Sequence, residues 1–368
     1  MDAPAQETPP ALTNRERFCR LYDFQPVDRP VRWECVAFWP ETAAEWTAAG
    51  TLTADPMVHF GFDPQPTLSA GLGLTWMSLS GPPVASRVVE EGAGTRVVED
   101  DLGSVRRERT DGCSMPQFIR FPVESHADWL RKIKPRLEPA AHDYGDWEPA
   151  AAASLTSPEP WGFWLLGLYA FWRNFWGEEK LAYAFYDWPE TLHDMARAWL
   201  RMHLECSPRV LRRARLDYVL FHEDMAFKNG PLIGPQLFDE FMRPYYRELF
   251  AHLRAHGHTR FLLDSDGHNG PILDRFIDLG MNGLFPFEVA AGYDIREVRR
   301  RYPRFFIWGG IDKRVLNRTR DDIRREVMAK VPEVWASGGF IPSLDHACQP
   351  CPQENFEYYL ELVRGLFP

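Results

Sequence analysis

The chain has 368 residues, 45% of them hydrophobic and 26% charged, and its formal net charge is −10. This composition describes a globular protein with a large core. The acidic balance, without any basic run, excludes nucleic acid and anionic membrane surfaces as expected partners. Six cysteines spread over this length do not resemble a secreted disulfide framework, so we expect a cytoplasmic protein.

The first third of the chain contains a lead segment, a helix, a strand and an excursion. Residues 1–12 are rich in Pro and Ala and lack the apolar region of a signal peptide, so we expect a disordered lead. Thr13 and Asn14 are candidate N-caps of the first helix. An apolar strand is expected within residues 27–39. The alternating pattern of residues 85–110, around an Asp-Leu-Gly turn, predicts an inserted β-hairpin.

From residue 160 onward, short apolar runs alternate with longer amphipathic segments. The runs are residues 161–167, 216–222, 259–264, 282–286, 304–308 and 338–343. Such alternation predicts βαβ units and a parallel sheet. Together with the strand near residue 31, the count approaches the eight strands of a (β/α)8 TIM barrel. No Gly-rich phosphate loop follows any run, so the barrel is favoured over a doubly wound sheet, with residues 13–368 as one domain.

Acidic side chains follow five of the predicted strands at the point where each strand ends. They are Glu223 and Asp224 after His222, then Asp264 and Asp266, Glu288, Asp312, and Asp345 beside His346. Catalytic residues of a TIM barrel lie at the carboxyl ends of its strands, around one mouth. An Asp in such a position can instead cap the following helix. Five carboxylate-bearing strand ends together predict an acidic functional site.

Several of these side chains have two interpretations. Adjacent Glu223 and Asp224 can divide acid–base work, although strand alternation sends only one of them to the barrel mouth. Lys228 either binds an anionic group of a substrate or is a solvated lysine. Lys313 is likewise either a cation of the site or one half of a solvated ion pair with the aspartate before it. Trp164 belongs to an aromatic stretch that is either core or a wall of the pocket.

His346, Cys348 and Cys351 form a short His-x-Cys-x₂-Cys motif near the end of the chain. These three residue types within six positions are enough for part of a zinc site. A single Cys-x₂-Cys pair is a weak signal, however, and a histidine hydrogen-bonded to a neighbouring carboxylate is the alternative. The sequence leaves both interpretations open.

From about residue 160 to its end, the chain resembles the uroporphyrinogen decarboxylase superfamily. The segments that carry the resemblance are residues 176–195, 222–249, 260–270, 280–303, 305–316 and 338–359. This superfamily includes tetrapyrrole decarboxylases and methyltransferases that move methyl groups to and from corrinoid proteins. The resemblance implies a (β/α)8 barrel, an enzyme and a homodimer.

The motif Asp-Ser-Asp-Gly at residues 264–267 departs from the methyltransferases of this superfamily, which carry His-x-Cys there and a second Cys in the last motif, together holding zinc. By this resemblance Asp264, Asp266 and Asp345 stand in the ligand positions. Three carboxylates suit a hard divalent ion such as Mg²⁺, Mn²⁺ or Ca²⁺. We therefore expect these residues, with His346 as the alternative to Asp345, to be either ligands of a divalent metal ion or charge partners. Asp266 and His346 are also expected to be catalytic.

The decarboxylases of the superfamily grip a polyanionic substrate with arginines near the first strand, where this sequence has Cys35 and Trp39. Their essential early aspartate has only Asp63 as a candidate here. The leading hypothesis is metal-assisted methyl transfer between a small methylated substrate and a corrinoid or pterin partner, with Lys228, Glu288, Trp164 and Asp312 as substrate contacts. The alternative is cofactor-independent decarboxylation of a tetrapyrrole or another carboxylic acid. A non-catalytic ligand-binding barrel is the third hypothesis.

Overall fold

The computed structural model describes residues 11–73, 77–80, 85–110 and 116–367. Most of the expected lead, residues 1–10, therefore lies outside the described residues. The first helix begins as the sequence predicts. The Thr13 hydroxyl accepts the N–H of Glu16 at 3.2 Å while the Glu16 carboxylate accepts the N–H of Thr13 at 2.8 Å, which forms a capping box.

The strands of the described residues are β1 (Thr67–Leu68), β2 (Arg87–Gly92), β3 (Thr95–Glu99), β4 (Val105–Arg109), β5 (Gln117–Arg120), β6 (Gly162–Leu166), β7 (Tyr218–His222), β8 (Ala226–Phe227), β9 (Gly230–Pro231), β10 (Phe261–Asp264), β11 (Gly283–Phe285), β12 (Phe306–Trp308) and β13 (Phe340–Ile341). The helices are α1 (Asn14–Tyr22), α2 (Pro40–Ala48), α3 (Pro56–His59), α4 (His126–Asp128), α5 (Glu148–Thr156), α6 (Leu168–Trp176), α7 (Glu178–Asp187), α8 (Pro189–Leu211), α9 (Pro235–Leu237), α10 (Arg243–Ala255), α11 (Gly270–Leu279), α12 (Ile295–Arg301), α13 (Arg320–Trp335) and α14 (Gln353–Arg364). A π-helical turn joins α9 to α10.

The central sheet is parallel and has the strand order β1-β6-β7-β10-β11-β12-β13. In this sheet each of the six strands from β6 onward leads to a helix, after the small β8–β9 hairpin in the case of β7, and the six lie within the six apolar runs of the sequence. The predicted α/β architecture with a parallel sheet is therefore confirmed. A parallel sheet of this kind directs the carboxyl ends of all its strands to the same edge.

The ring of eight strands is not complete in the described pairing. The expected first strand, within residues 27–39, makes a single bridge, between Phe38 and Cys348, instead of a ladder. Nearby, the N–H of Asp63 donates to the carbonyl of Arg32 at 3.0 Å. The sequence also gave no signal for β1, which is only two residues long. The sheet is thus a curled, seven-stranded part of a barrel.

The inserted segment is larger than the hairpin expected at residues 85–110. Strands β2 to β5 form a four-stranded antiparallel sheet that extends to Arg120. The predicted turn joins β3 to β4, and its glycine, Gly103, has a φ of +89°. This sheet is separate from the parallel one and leads, through Phe121, to the edge where the functional side chains lie.

Helix α1 closes the amino end of the barrel. Its Phe18 ring lies 4.9 Å from the Tyr218 ring, and its Tyr22 ring stacks on Phe306 at 4.1 Å between centroids. Above this plug the interior is filled by large side chains such as Trp33 and Trp308, which are fully buried. Solvent and ligands therefore reach the polar strand ends from the carboxyl side.

We expect Tyr22→Phe to lower the free energy of unfolding by about 1–2 kcal/mol. The buried Tyr22 hydroxyl donates to Oδ1 of Asn282 at 2.9 Å and to the carbonyl of Phe261 at 3.1 Å, and phenylalanine makes neither bond. Urea unfolding of the variant tests this. Tyr183→Phe, at an exposed position of α7, is the matched control and should stay within about 0.5 kcal/mol of wild type. An equal effect at both positions would contradict the assigned role of Tyr22.

No helix of the described residues has both the length and the apolar character needed to cross a membrane.

Candidate active site

A cleft of about 480 Å³ opens at the carboxyl ends of the central strands. Its lining combines aromatic, basic and acidic side chains, namely Phe118, Phe121, Arg173, Asn174, Glu178, His222, Asp224, Ala226, Phe227, Lys228, Leu232, Asp266, Gly267 and Glu288. The cleft is of the size that small-molecule sites have. Four of the predicted site residues line it directly: Asp224, Lys228, Asp266 and Glu288.

The first histidine–aspartate pair joins the ends of β7 and β10. These strands pair in parallel with His222 opposite Asp264. Nδ1 of His222 lies 2.8 Å from Oδ2 of Asp264, and both side chains are largely buried. Burial works to lower the pKa of His222, but the charge of Asp264 and the hydrogen bond to it outweigh burial and raise this pKa. The imidazole therefore keeps its second proton to a higher pH than a free histidine does.

The second pair joins the loop after β10 to the loop after β13. Nε2 of His346 lies 3.3 Å from Oδ2 of Asp266. Burial again works to lower the pKa of His346, and the hydrogen bond and charge of Asp266 again raise it overall. Asp266 is the more open partner and lines the cleft. This geometry suits an imidazolium that donates a proton to a bound molecule.

The Asp-Ser-Asp-Gly motif is explained by these contacts. Ser265 is buried; its hydroxyl accepts the N–H of Met225 at 3.1 Å and donates to Oδ1 of Asn269 at 2.9 Å, which ties two loops together. Gly267 has a φ of +73°, and a Cβ there would lie 2.4 Å from the carbonyl oxygen of Ala226. Only glycine fits this close approach. The motif thus places one aspartate on each histidine and fixes the turn between them.

Glu288 and Lys313 extend the site towards β11 and β12. One carboxylate oxygen of Glu288 accepts the N–H of Gly267 at 2.9 Å. The other lies 3.7 Å from Nζ of Lys313. Of the two interpretations of Lys313, the solvated ion pair with Asp312 is not formed, because the lysine is turned inward beside the Glu288 carboxylate.

The carboxylates do not fit the predicted metal site. Both oxygens of Asp345 are taken by backbone donors, the N–H of Val289 at 2.8 Å and the N–H of Lys313 at 3.0 Å. Asp264 and Asp266 are each occupied by a histidine. Within residues 11–73, 77–80, 85–110 and 116–367, no three His, Cys, Asp or Glu side chains come close enough together to hold a metal ion. The reaction steps proposed for this site do not use a metal ion.

Glu223 lies outside the cleft and anchors a helix. It is fully buried, and its carboxylate accepts the N–H groups of Leu168, Tyr169 and Ala170, the first turn of α6, at 2.8–3.1 Å. The Tyr246 hydroxyl also donates to it. Burial raises the pKa of Glu223 to about 7. Because no substrate reaches it, the expected acid–base role is replaced by a positioning role.

Asp224 faces the cleft, as strand alternation allows for one of the two neighbours. Its backbone has a φ of +41°, and both its carbonyl and its carboxylate accept hydrogen bonds from Nη1 of Arg173, at 2.6 and 2.8 Å. Arg173 lies on α6, the helix that Glu223 anchors. The sequence offered a hint of this residue, because Arg173 is the first charge after a long apolar run.

The family assignment rests on the same half of the chain that carries these side chains. The family model described as "Uroporphyrinogen decarboxylase (URO-D)" matches residues 178–366. The chain belongs to the uroporphyrinogen decarboxylase family. None of the curated protein sequences matches the chain significantly.

A solved structure supports the fold of this uroporphyrinogen decarboxylase family member over nearly its whole length. A methyltransferase from Methanosarcina mazei superposes with a TM-score of 0.56, covering 96% of this chain and 99% of the other. The two sequences are 15% identical, so the likeness concerns the fold.

Two features that characterise other branches of the family are not assembled here. Cys35, at the position of a decarboxylase arginine, is buried in the barrel interior. Burial is the main cause that raises the pKa of the Cys35 thiol, and the negative charges of Glu34 and of the strand-end aspartates raise it further. The thiol therefore stays neutral. Asp63 forms an ion pair with Arg29, with 2.7 Å between Oδ2 and Nη1, and it does not line the cleft.

The Cys-x₂-Cys motif is separated from His346. The sulfur atoms of Cys348 and Cys351 lie 3.8 Å apart, both buried in an apolar cluster with Phe356. The hydrogen bond between the two thiols, followed by burial, raises the pKa of Cys348. Neutral thiols in such surroundings do not form a thiolate site, and His346 pairs with Asp266 instead.

Trp164 and Asp312 also lie away from the cleft lining. Trp164, on β6, is partly buried against the core cluster of the barrel interior. Asp312 caps a short 3₁₀ helix, Lys313–Asn317, and forms a 2.7 Å ion pair with Arg314. Neither they nor His346 belong to the cleft lining, but His346 contacts Asp266, which does.

Two aromatic residues of the inserted segment reach the cleft and had no sequence signal. The rings of Phe118 and Phe121 stack at 5.0 Å and form part of the lining. Phe121 packs on Gly177, where a Cβ would lie 2.2 Å from its ring. The antiparallel sheet therefore contributes a wall of the candidate site.

Proposed function

We propose that this protein is an enzyme that transfers a methyl group from a small methylated compound, with His346 and Asp266 supplying a proton to the leaving group. The observation that carries the proposal is the His346–Asp266 pair at the edge of an open cleft. His222 and Asp264 form a second pair nearby on the cleft wall. Side chains that donate protons in this way contribute about 10²–10⁴-fold to a rate.

The proton balance of the step is simple. The bond between the methyl carbon and its heteroatom breaks, and the electron pair of that bond stays on the heteroatom. The protonated His346 gives its proton to this heteroatom and becomes neutral, while Asp266 remains a carboxylate. The methyl group moves to an electron-rich acceptor, which a corrinoid or pterin on a partner protein would supply.

The charge of the cleft favours a small substrate over a tetrapyrrole with many carboxylates. Asp224, Asp266 and Glu288 line the cleft, and Arg173 is already paired with Asp224. A polyanion would place unpaired charges against these carboxylates, which costs several kcal/mol. Decarboxylation of a smaller carboxylic acid is the second candidate, because the same imidazolium can protonate the carbanion that CO₂ leaves behind.

A two-part assay tests the proposal. The purified protein is given reduced free cobalamin and a panel of methoxy acids, methylated amines and methyl thioethers, and the cobalamin spectrum reports methylation. The same compounds and matched carboxylic acids are then assayed without cobalamin for CO₂ release. Cobalamin methylation supports methyl transfer. CO₂ release without cobalamin supports decarboxylation, and the absence of both from the whole panel would contradict an enzyme of either kind.

The family resemblance also implies a homodimer, and we include this in the proposal. Analytical ultracentrifugation of the full chain should give twice the monomer mass of 42.6 kDa. A monomer at micromolar concentration would contradict it. The cytoplasmic location stays a prediction from composition.

A further inference from the structure

Lys313 is a cation beside the cleft whose ammonium group makes no hydrogen bond to another described residue. Its side chain is only 11% exposed, and its nearest carboxylate oxygen, on Glu288, is 3.7 Å away. That distance is too long for a hydrogen bond. An ammonium group has three donors, and because Nζ of Lys313 is not fully buried, these donors can reach a bound molecule. No side-chain hydrogen bond joins Lys313 to any of the residues that the structure describes.

Lys330 shows how this fold satisfies a buried lysine elsewhere. Its Nζ donates to the carbonyl of Gly310 at 3.0 Å and to Glu326 at 2.5 Å. The aspartate before Lys313 cannot play the part of Glu326, because Asp312 is paired with Arg314. Lys313 therefore differs from the structural lysine on the neighbouring helix, and its donors remain available.

The surroundings of Lys313 locate these donors beside the cleft. Glu288, its ion-pair partner, lines the cleft and holds the turn at Gly267. Of the influences on the pKa of His346, burial and the Asp266 pair are the largest, and the charge of Lys313 also acts to lower it. Two cations thus lie within electrostatic range of each other, and an anion between them would stabilise both.

We propose that Lys313 binds the carboxylate of the substrate, which makes the substrate class a small methylated carboxylic acid. This inference rests on the proposed function and adds the chemical class of the substrate. The carboxylate would lie on Lys313, and the methylated heteroatom next to His346. Because Glu288 and Asp266 are close by, the site accepts one anionic group and repels a second.

Binding alone tests this assignment, independently of turnover. Saturation-transfer difference NMR is run on the full chain with methoxyacetate, methylthioacetate and N,N-dimethylglycine, each against its neutral amide. We expect the wild type to bind at least one acid at least tenfold more tightly than the corresponding amide. Lys313→Met should remove this preference and Lys313→Arg should retain most of it.

Two further lysine variants make the result specific. Lys132→Met, at an exposed surface position, should leave binding unchanged. Lys228→Met tests the lysine that lines the cleft. The inference is overturned if Lys228→Met abolishes acid binding while Lys313→Met does not, or if no acid of the panel binds wild type better than its amide. Acid binding that depends on Lys313, without any methylation of cobalamin, would instead overturn the proposed function and leave the anion site standing. Circular dichroism and thermal unfolding check that each variant is folded.

Discussion

His346→Gln is expected to lower the rate of methyl transfer by about 10²–10⁴-fold, the range that general acid catalysis contributes. Glutamine has no group that titrates near neutral pH, so the leaving heteroatom would take its proton from water. His346 is largely buried and paired with Asp266 at 3.3 Å, so the substitution removes the proton donor and changes little else. The measurement is kcat/KM with the substrate found in the assay above.

The pH profile separates a proton donor from a structural histidine. Asp266 raises the pKa of His346, so the protonated donor is present below that pKa and is lost as pH rises through it. Asp266→Asn removes this effect and should move the alkaline limb of kcat/KM to lower pH. His59→Gln, at an exposed position outside the site, is the control and should keep the wild-type profile. If His222→Gln loses activity while His346→Gln does not, the donor has been assigned to the wrong pair.

Glu223→Ala is expected to lower the free energy of unfolding by about 3–5 kcal/mol, because several buried hydrogen-bond donors lose their acceptor and each costs about 1–3 kcal/mol. Alanine would leave three backbone N–H groups of α6 and the Tyr246 hydroxyl without their acceptor. Urea unfolding at pH 6 gives the value. Glu190→Ala, in the first turn of α8, is the control at an exposed glutamate and should change stability by less than 1 kcal/mol or so.

Glu223 also makes stability depend on pH in a predictable direction. Its pKa rises from 4.5 to about 7 on folding, chiefly through burial. Below pH 4.5 the group is protonated in both states. Between 4.5 and 7 only the folded state keeps the proton, so stability falls with rising pH, by at most about 3 kcal/mol.

Glu223→Gln should remove this contribution. The difference between wild type and variant isolates it, since the buried Glu34, whose pKa burial also raises to about 7, is present in both. A difference that stays constant from pH 5 to 7.5 would contradict a buried, protonated Glu223.

The repeating half of the fold was predictable from the sequence, and the first third was not. Strands β6, β7 and β10 to β13 lie within apolar runs of the sequence. Hydrophobic periodicity and turn signals therefore identify these strands. Strand β1 has two residues, which is too short for a periodic signal. Residues 27–39 carry strand-like alternation but form a single bridge instead of a ladder, and the sequence of the segment cannot show whether it pairs. The inserted sheet is mostly exposed, so its outer strands lack the contrast that marked the central hairpin.

The position of the site could be predicted, but the partners of its side chains could not. Counting register along β7 and β10 brings His222 opposite Asp264, so that pair was within reach of the sequence. The sequence cannot show that Glu223 points away from the cleft into the first turn of α6, since either neighbour could have faced the mouth. It also cannot show that Asp312 forms its ion pair with Arg314, while the side chain of Lys313 lies beside Glu288. Such choices depend on contacts between residues far apart in the chain.

The hydrogen bonds and ion pairs of the Asp-Ser-Asp-Gly turn limit how the branches of this family can diverge. Zinc-type relatives, by the resemblance, carry His and Cys where Asp264 and Asp266 stand. Replacing either aspartate here removes the carboxylate partner of one histidine. Replacing both would still leave Asp345 hydrogen-bonded to two backbone N–H groups. A gene drifting one codon at a time from one arrangement to the other would pass through variants with neither chemistry. If the histidine–aspartate pairs carry the chemistry proposed above, the two motifs cannot be exchanged one residue at a time without losing it.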